Sequence, residues 1–311
     1  MATLLDFRRR IRSVKNTQQI TRAMKFVSAA RLRRAQEAAL AARPYAQELS
    51  RLLRSIMGRI ESPEFALLAK RPEERILVVV LAGERGLAGA FNANILKEAA
   101  KFFRSKQGKK LAVIPVGKKS RDALRKAGFE LVGEYVNVLA RVDLGVAREI
   151  AKVITDLYCE EKVDAVYIIF SEFKSVIAPN LVTEKLLPVE RIGTEEVKSL
   201  KQVRAASEAP PGTEVNTAGG PAPEAQIDYI YEQPAKLILD RLLPRYVETQ
   251  VLRALLESSA AEHAARMTAM EAATKNAGEV IEGLTLHMNK VRQAAITKEI
   301  IEIVSGAAST A

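Results

Sequence analysis

The sequence predicts a mixed α/β chain in which long N- and C-terminal helices form an antiparallel coiled coil around an inserted α/β domain. Three observations predict it. Both ends of the 311-residue chain repeat small or apolar residues at alternating three- and four-residue steps. Between them, in residues 74–190, short apolar runs alternate with amphipathic stretches. A segment rich in Pro, Gly and small polar residues then separates that block from the last helix.

Residues 1–60 form the first helix. Glycine is absent before Gly58, and Ala, Leu, Arg, Gln and Glu dominate. The seam runs through Leu4, Phe7, Ile11, Val14, Gln18 and Thr21, and resumes at Ala35, Ala38, Ala42, Tyr45, Leu49, Leu52 and Ile56. Between the two stretches the pattern turns polar and basic, with Ile20, Met24 and Val27 on a shifted stripe. Pro44 removes one helical hydrogen bond and is expected to bend the helix. At 1.5 Å per residue such a helix is roughly 80 Å long, beyond the needs of an ordinary globular core.

Residues 74–190 read as an open, Rossmann-like α/β sheet with parallel pairs. The run 75–81 is a buried strand, followed by a glycine loop and a helical stretch to Gln107. Strand 111–116, helices 118–127 and 143–161, and strand 163–170 follow. Residues 176–189 predict a further strand or hairpin broken by Pro179-Asn180. Residues 191–226 predict a flexible linker, and 227–311 the second coiled-coil unit. That helix, from about Ala235, has its seam at Val247, Val251, Ala254, Ser258, Ala261, Ala265, Thr268 and Ala272, then Ala277, Ile281, Leu284, Met288, Val291 and Ala295. Pro244 is expected to kink its beginning. The two seams bury each other most simply side by side, so part of the rod must stand clear of the domain.

Charge placement says more than its total. The chain carries 48 Lys and Arg against 37 Asp and Glu, net +11. Residues 1–60 hold 14 basic and 3 acidic residues, and the remainder balances at 34 of each. The excess therefore lies on one helix and implies an acidic partner there; nucleic acid, anionic lipid and an acidic protein loop each meet that need. The single cysteine, Cys159, excludes an internal disulfide and suits a reducing compartment. It reads as a half-buried filler. His263 and His287, the two histidines, argue against a histidine-based centre and read as exposed helix residues. The N-terminus is too charged for a secretory signal, and no run approaches the 18 apolar residues of a membrane span. The glycine loop lacks the Gly-Lys-Ser/Thr ending of a nucleotide-binding loop.

Four motifs then fall in order on these elements. Residues 11–25 resemble the N-terminal signature of F-type ATP synthase gamma subunits, and Arg43-Pro44-Tyr45 fits the same helix. Residues 84–92 resemble the family's glycine loop, and residues 264–274 and 289–300 its C-terminal signature. Gly83-Glu84 replaces the usual Ser-Asp, and Ala88-Gly89-Ala90 the usual Cys-Gly-Gly. The linker is longer than in a plain bacterial member and has no cysteine, which excludes the dithiol switch of photosynthetic relatives.

The resemblance implies a non-catalytic rotor shaft coupling ion (proton) flow to ATP synthesis or hydrolysis, without a cofactor or metal. It implies three alpha and three beta subunits around one shaft, with an epsilon subunit and a membrane c-ring below. It also implies peripheral association with the cytoplasmic face of a bacterial plasma membrane, without direct insertion. Met24 then aligns with a shaft residue passing the catalytic lever loops, and the basic collar of Arg31, Arg33 and Arg34 faces acidic loops. Arg292, Gln293, Thr297 and Glu299 form a polar catch, joined by Arg266. Tyr229 and Tyr231 belong to a foot on the rotor ring. Ile300, Ile301, Ile303 and Val304, with Ile296, enter an apolar bearing. A coiled-coil nucleic-acid-binding protein is the rival reading. It explains the basic helix but not the insert, and apart from Phe7 and Phe26 the basic region offers no rings for base stacking. A small α/β enzyme with helical arms needs a convergent polar site, and the sequence supplies none.

Overall fold

The computed structural model describes residues 4–57, 65–175, 179–189 and 234–310. Helix α1 spans Leu4–Met57 and α5 spans Ala235–Thr310, 54 and 76 residues long. At 1.5 Å per residue these are roughly 80 and 115 Å. Both run on as single helices through Pro44 and Pro244. The linker, residues 191–226, and Tyr229 and Tyr231 lie outside the described residues.

The two helices are antiparallel and in register. Phe7 meets His287, Gln18 and Thr21 reach Thr274, Lys25 reaches Glu271, and Leu32 packs on Ala260 and Ala264. Each step forward along α1 is a step back along α5. By this register Leu4 lies opposite the turn of Val291, so the last part of α5 has no α1 beside it.

The seam of α1 turns polar and basic between its apolar stretches, as expected. It keeps its phase, however, instead of shifting to the stripe of Ile20, Met24 and Val27, of which Ile20 and Val27 are exposed. Thr21, Ser28 and Leu32 are buried, and Lys25 between them bridges to Glu271 at 2.5 Å. The 3.5-residue period passes straight through short polar side chains, because the Ala-rich face of α5 admits them closely. It continues through Ala35, Ala39, Ala42, Leu49, Leu53 and Ile56, while Ala38 and Tyr45 face outward and Leu52 sits at the edge of the core. On α5, Thr268 and Ala272 are exposed and Met267, Met270 and Thr274 take the inner positions. Residues 254–264 of α5 are buried on every side, so periodicity cannot carry the phase of the seam across them.

The sheet explains that burial. Strands β1 (Arg75–Leu81), β2 (Lys110–Val116), β3 (Glu130–Leu131), β4 (Ala165–Phe173) and β5 (Pro179–Leu187) lie in the order β3-β2-β1-β4-β5. All pairs are parallel except β4–β5. Ile76, Val78 and Val80 of β1 face α2 (Phe91–Ser105) and α3 (Lys118–Lys126). Leu77, Val79 and Leu81 face α4 (Leu144–Cys159), the end of α1 and the first half of α5. A central strand covered on both faces reads as an unbroken apolar run. Pro179 opens edge strand β5 opposite Phe173 instead of breaking it, since a first edge residue needs no ladder N–H. The two-residue β3 carries no periodic signal and escapes sequence reading.

Candidate functional site

The strand order reverses between β1 and β4, and open α/β sheets hold ligands in the crevice beyond the carboxyl ends of such a pair. Here α5 lies in it. On the β1 side the Glu262 carboxyl closes against Gly83, where an added Cβ would stand 2.9 Å from Glu262 Cδ and Oε1. On the β4 side Phe173 packs with Leu32, Ala260, Ala264 and Met267. The alanines let the helix approach this closely.

The glycine loop is satisfied from within. Gly83 N donates to Asn92 Oδ1 (2.7 Å), and Asn92 Nδ2 donates to Arg85 O (3.2 Å). Glu84 accepts from the backbone N–H of Lys118 (3.0 Å) and of Val138 (3.1 Å). A carboxylate thus takes up the first amide of α3, where an anion would otherwise be drawn. Gly117, at φ 96°, lies so close to Ala82 that a Cβ would reach its carbonyl oxygen at 1.9 Å. The loop is a joint rather than a phosphate cradle.

Arg266 Nη2 donates to Glu262 Oε1 at 2.5 Å and reaches Gly86 O at 3.5 Å, and its Nη1 lies 3.4 Å from His263 Nδ1. The ion pair is deeply buried, with side chains 11% and 5% exposed for Arg266 and Glu262. Burial pushes the Glu262 pKa up, against the bond and charge of Arg266. His263 is buried rather than exposed as expected; burial, with Arg266 and Arg31 nearby, brings its pKa down to about 4 and keeps it neutral. Lower on α5, burial drives Glu257 up to about 7, with Arg253 and Arg43 pulling down and Glu172 and Glu184 pushing up. Glu257 and Glu262 do not emerge from the sequence as site residues; the available signal for Glu262 is a Glu-x-x-x-Arg step flanked by alanines. Cys159 is exposed rather than half-buried, at the end of α4.

The residues singled out from the sequence fall into separate regions. Arg31, Arg33 and Arg34 are exposed, and Arg33 pairs with Glu37 at 3.0 Å. Met24 is half-buried and shares one face of α1 with exposed Ile20, Val27 and Arg31, at helical steps of four, three and four. Arg292, Gln293, Thr297 and Glu299 are exposed on α5, with Thr297 Oγ1 bonded to Gln293 O. Arg266 stands apart from them, engaged inside the chain. Ile296, Ile300, Ile301, Ile303 and Val304 are bare, Ile303 at 71% exposure. Among the described residues no group of three or more His, Cys, Asp or Glu is placed to hold a metal ion.

Together these features define a class: a two-helix stalk gripped by an α/β domain over part of its length, with a free shaft and a bare apolar tip. A family model described as ATP synthase matches residues 3–310. The ATP synthase gamma chain of Solibacter usitatus is 46% identical over 313 residues, covering 99% of this chain and 99% of its own. That of Desulforamulus reducens is 45% identical over 309 residues, again 99% of each. The chain belongs to the ATP synthase gamma-chain family. Solved chains share the fold at lower identity. One from the Euglena gracilis mitochondrial ATP synthase (OSCP/F1/c-ring, rotational state 3) matches with a TM-score of 0.65 at 18% identity, covering 99% of this chain and 94% of that one. One from the Tetrahymena thermophila central stalk/c-ring gives 0.57 at 23%, covering 82% and 99%.

Proposed function

We infer that this chain is the central rotor shaft of an F-type ATP synthase, a subunit through which ion flow in a membrane ring is coupled to ATP synthesis or hydrolysis in other chains. The observation that carries the reading is the shaft itself. Helix α5 outruns α1, and its end is apolar and uncovered. A lone apolar helix tip is not stable in water without a sleeve.

The mechanism follows from asymmetry. Two unlike helices have no threefold symmetry, so three equivalent catalytic sites around them each meet a different face. Turning the shaft exchanges those faces, and the sites change conformation because the contact free energy differs among them. Alpha and beta subunits, three of each, surround the shaft; the α/β domain, with an epsilon subunit, rests on the c-ring.

Within this reading Arg31, Arg33 and Arg34 form a basic collar facing acidic loops. Their exposure supports it, since an exposed guanidinium is available to a passing partner, and the solvent-exposed Arg33–Glu37 pair is weak enough to exchange. Charge attraction is weakly directional and persists as the shaft turns. Met24, beside Ile20 and Val27, forms the apolar part of the same surface. Arg292, Gln293, Thr297 and Glu299 are the catch, Ile300, Ile301, Ile303 and Val304 the bearing, and the neighbourhood of Tyr229 and Tyr231 the foot. The complex sits on a membrane and this chain is peripheral to it, on the cytoplasmic face of a bacterial plasma membrane. Among the described residues no helix is long and apolar enough to cross a membrane.

Co-expression with the alpha and beta subunits of an ATP synthase tests the reading. One copy of this chain per three of each partner, with sustained hydrolysis depending on it, is expected. A chain that ignores those subunits contradicts it.

A further inference from the structure

We propose that Glu262 and Arg266, seated in the crevice between β1 and β4, are the key that fixes the α/β domain to the shaft in one angular phase. This rests on the rotor reading and assigns positioning residues within it. Three observations carry it. First, the apolar packing of α5 on the sheet is non-directional, and polar ties such as Arg253 to Glu184 (2.6 Å) and Ser259 Oγ to Leu139 O (2.9 Å) lie nearer the start of α5, away from the loop after β1. Second, Glu262 and Arg266 are the polar groups of α5 aimed at the loop after β1. The carboxyl fills the space that Gly83 leaves by lacking a Cβ, and the guanidinium reaches Gly86 O. Rotating α5 by one residue would carry the pair out of that slot, leaving a buried charge unpaired or a void at Gly83. Third, the loop is itself braced against α2, α3 and the 136–138 turn through Asn92 and Glu84, so load received by the slot passes into the whole domain.

The position of the slot also matters. Beyond Ala269, which lies 3.7 Å from where a Cβ on Gly89 would stand, α5 leaves the domain and continues with α1 alone. The key therefore sits where the gripped shaft becomes the free shaft, and torque from the ring must cross it.

The test uses the complete complex in inverted membrane vesicles, with Cys159→Ser as background. Wild-type hydrolysis and ion pumping that depend on this chain test the rotor reading separately. Glu262→Ala is expected to assemble and hydrolyse ATP while ions pumped per ATP fall by about fivefold. Adding Gly89→Cys and Ala269→Cys, whose 3.7 Å Cβ spacing suits a disulfide although Gly89 sits at φ 55° and strains any side chain there, is expected to restore pumping when oxidised and lose it on reduction. Should Glu262→Ala fail to assemble, Glu262→Gln, which keeps the volume, takes its place. Pumping equal to wild type without the carboxylate overturns the proposal. So does a formed disulfide that leaves pumping low, because the domain is then tied and the defect lies elsewhere.

Discussion

Phe7 lies against His287 with ring centroids 5.1 Å apart and planes inclined at 47°, near the place where α5 begins to run on without α1. Phe7 is itself buried. This contact pins the N-terminal turns of α1 to the shaft. Phe7→Ala is expected to cost about 2–4 kcal/mol of local stability. Hydrogen exchange should then speed up in residues 4–14 before any other part of α1. Uniform exchange along the helix would contradict it.

The phase of the α1 seam makes a second prediction. Leu32 and Leu53 are buried, whereas Leu40 is 55% exposed. Leu32→Ala and Leu53→Ala should each cost about 2–5 kcal/mol, and Leu40→Ala within about 0.5 kcal/mol, in denaturant melts. Equal costs would show that the seam does not follow this register.

Glu257 sets a pH dependence. Its folded pKa of about 7 stands above the ordinary 4.5, so between those values the folded chain holds a proton that the unfolded chain releases. Stability contributed by the protonated form is full below about pH 4.5 and is lost as pH rises toward 7. The groups facing it are Arg253 on its own helix, Arg43 on α1, Glu172 on β4 and Glu184 on β5. Glu257→Gln should remove this slope and leave the variant more stable than wild type at pH 8, by on the order of 2–3 kcal/mol. Melts of the two proteins that stay parallel from pH 5 to 8 would refute the assignment.

Glu73 behaves in the opposite sense. Burial alone would raise its pKa, but bonds from Lys106 (2.6 Å), Lys185 (2.9 Å) and Tyr167 (2.9 Å) outweigh that and bring it to about 2. Its contribution is present above pH 4.5 and fades as pH falls toward 2. Glu73→Gln should cost about 1–3 kcal/mol at pH 7, with a difference that narrows on acidification below 4.5. A constant difference would place the effect in packing instead.

The basic collar gives a fifth prediction, made on the assembled complex. Replacing Arg31, Arg33 and Arg34 with Gln should lower ions pumped per ATP and steepen neither helix melting nor assembly, because these side chains are exposed. Unchanged coupling would remove the collar from the account.

Much of this was legible in the sequence, for identifiable reasons. The seam at Phe7, Ile11 and Val14, and the run from Ile76 to Leu81, announce themselves because one environment repeats along each. The seam was lost at Lys25 and Ser28, where a hydrophobic pattern cannot register a lysine bridging to Glu271 or a small polar residue under alanines. It was lost again at residues 254–264, where every face is covered and no period survives. The Glu262–Arg266 pair was hidden for a related reason. A glutamate and an arginine one turn apart look like a solvated helix face until the sheet is seen to enclose them. The collar, catch and tip are proposed from motif resemblance together with charge placement, since exposure alone does not distinguish a contact from a wetted surface.

The central claim is that this chain turns inside its complex, and Cys159 offers a handle for seeing it. It is the one cysteine in the sequence and lies exposed at the end of α4, away from the free shaft. A bead attached there, with the alpha and beta subunits fixed to a surface, reports rotation directly. The account predicts unidirectional turning during ATP hydrolysis, in three steps per turn to match three catalytic sites. A bead that stays still while the same complexes hydrolyse ATP would contradict it.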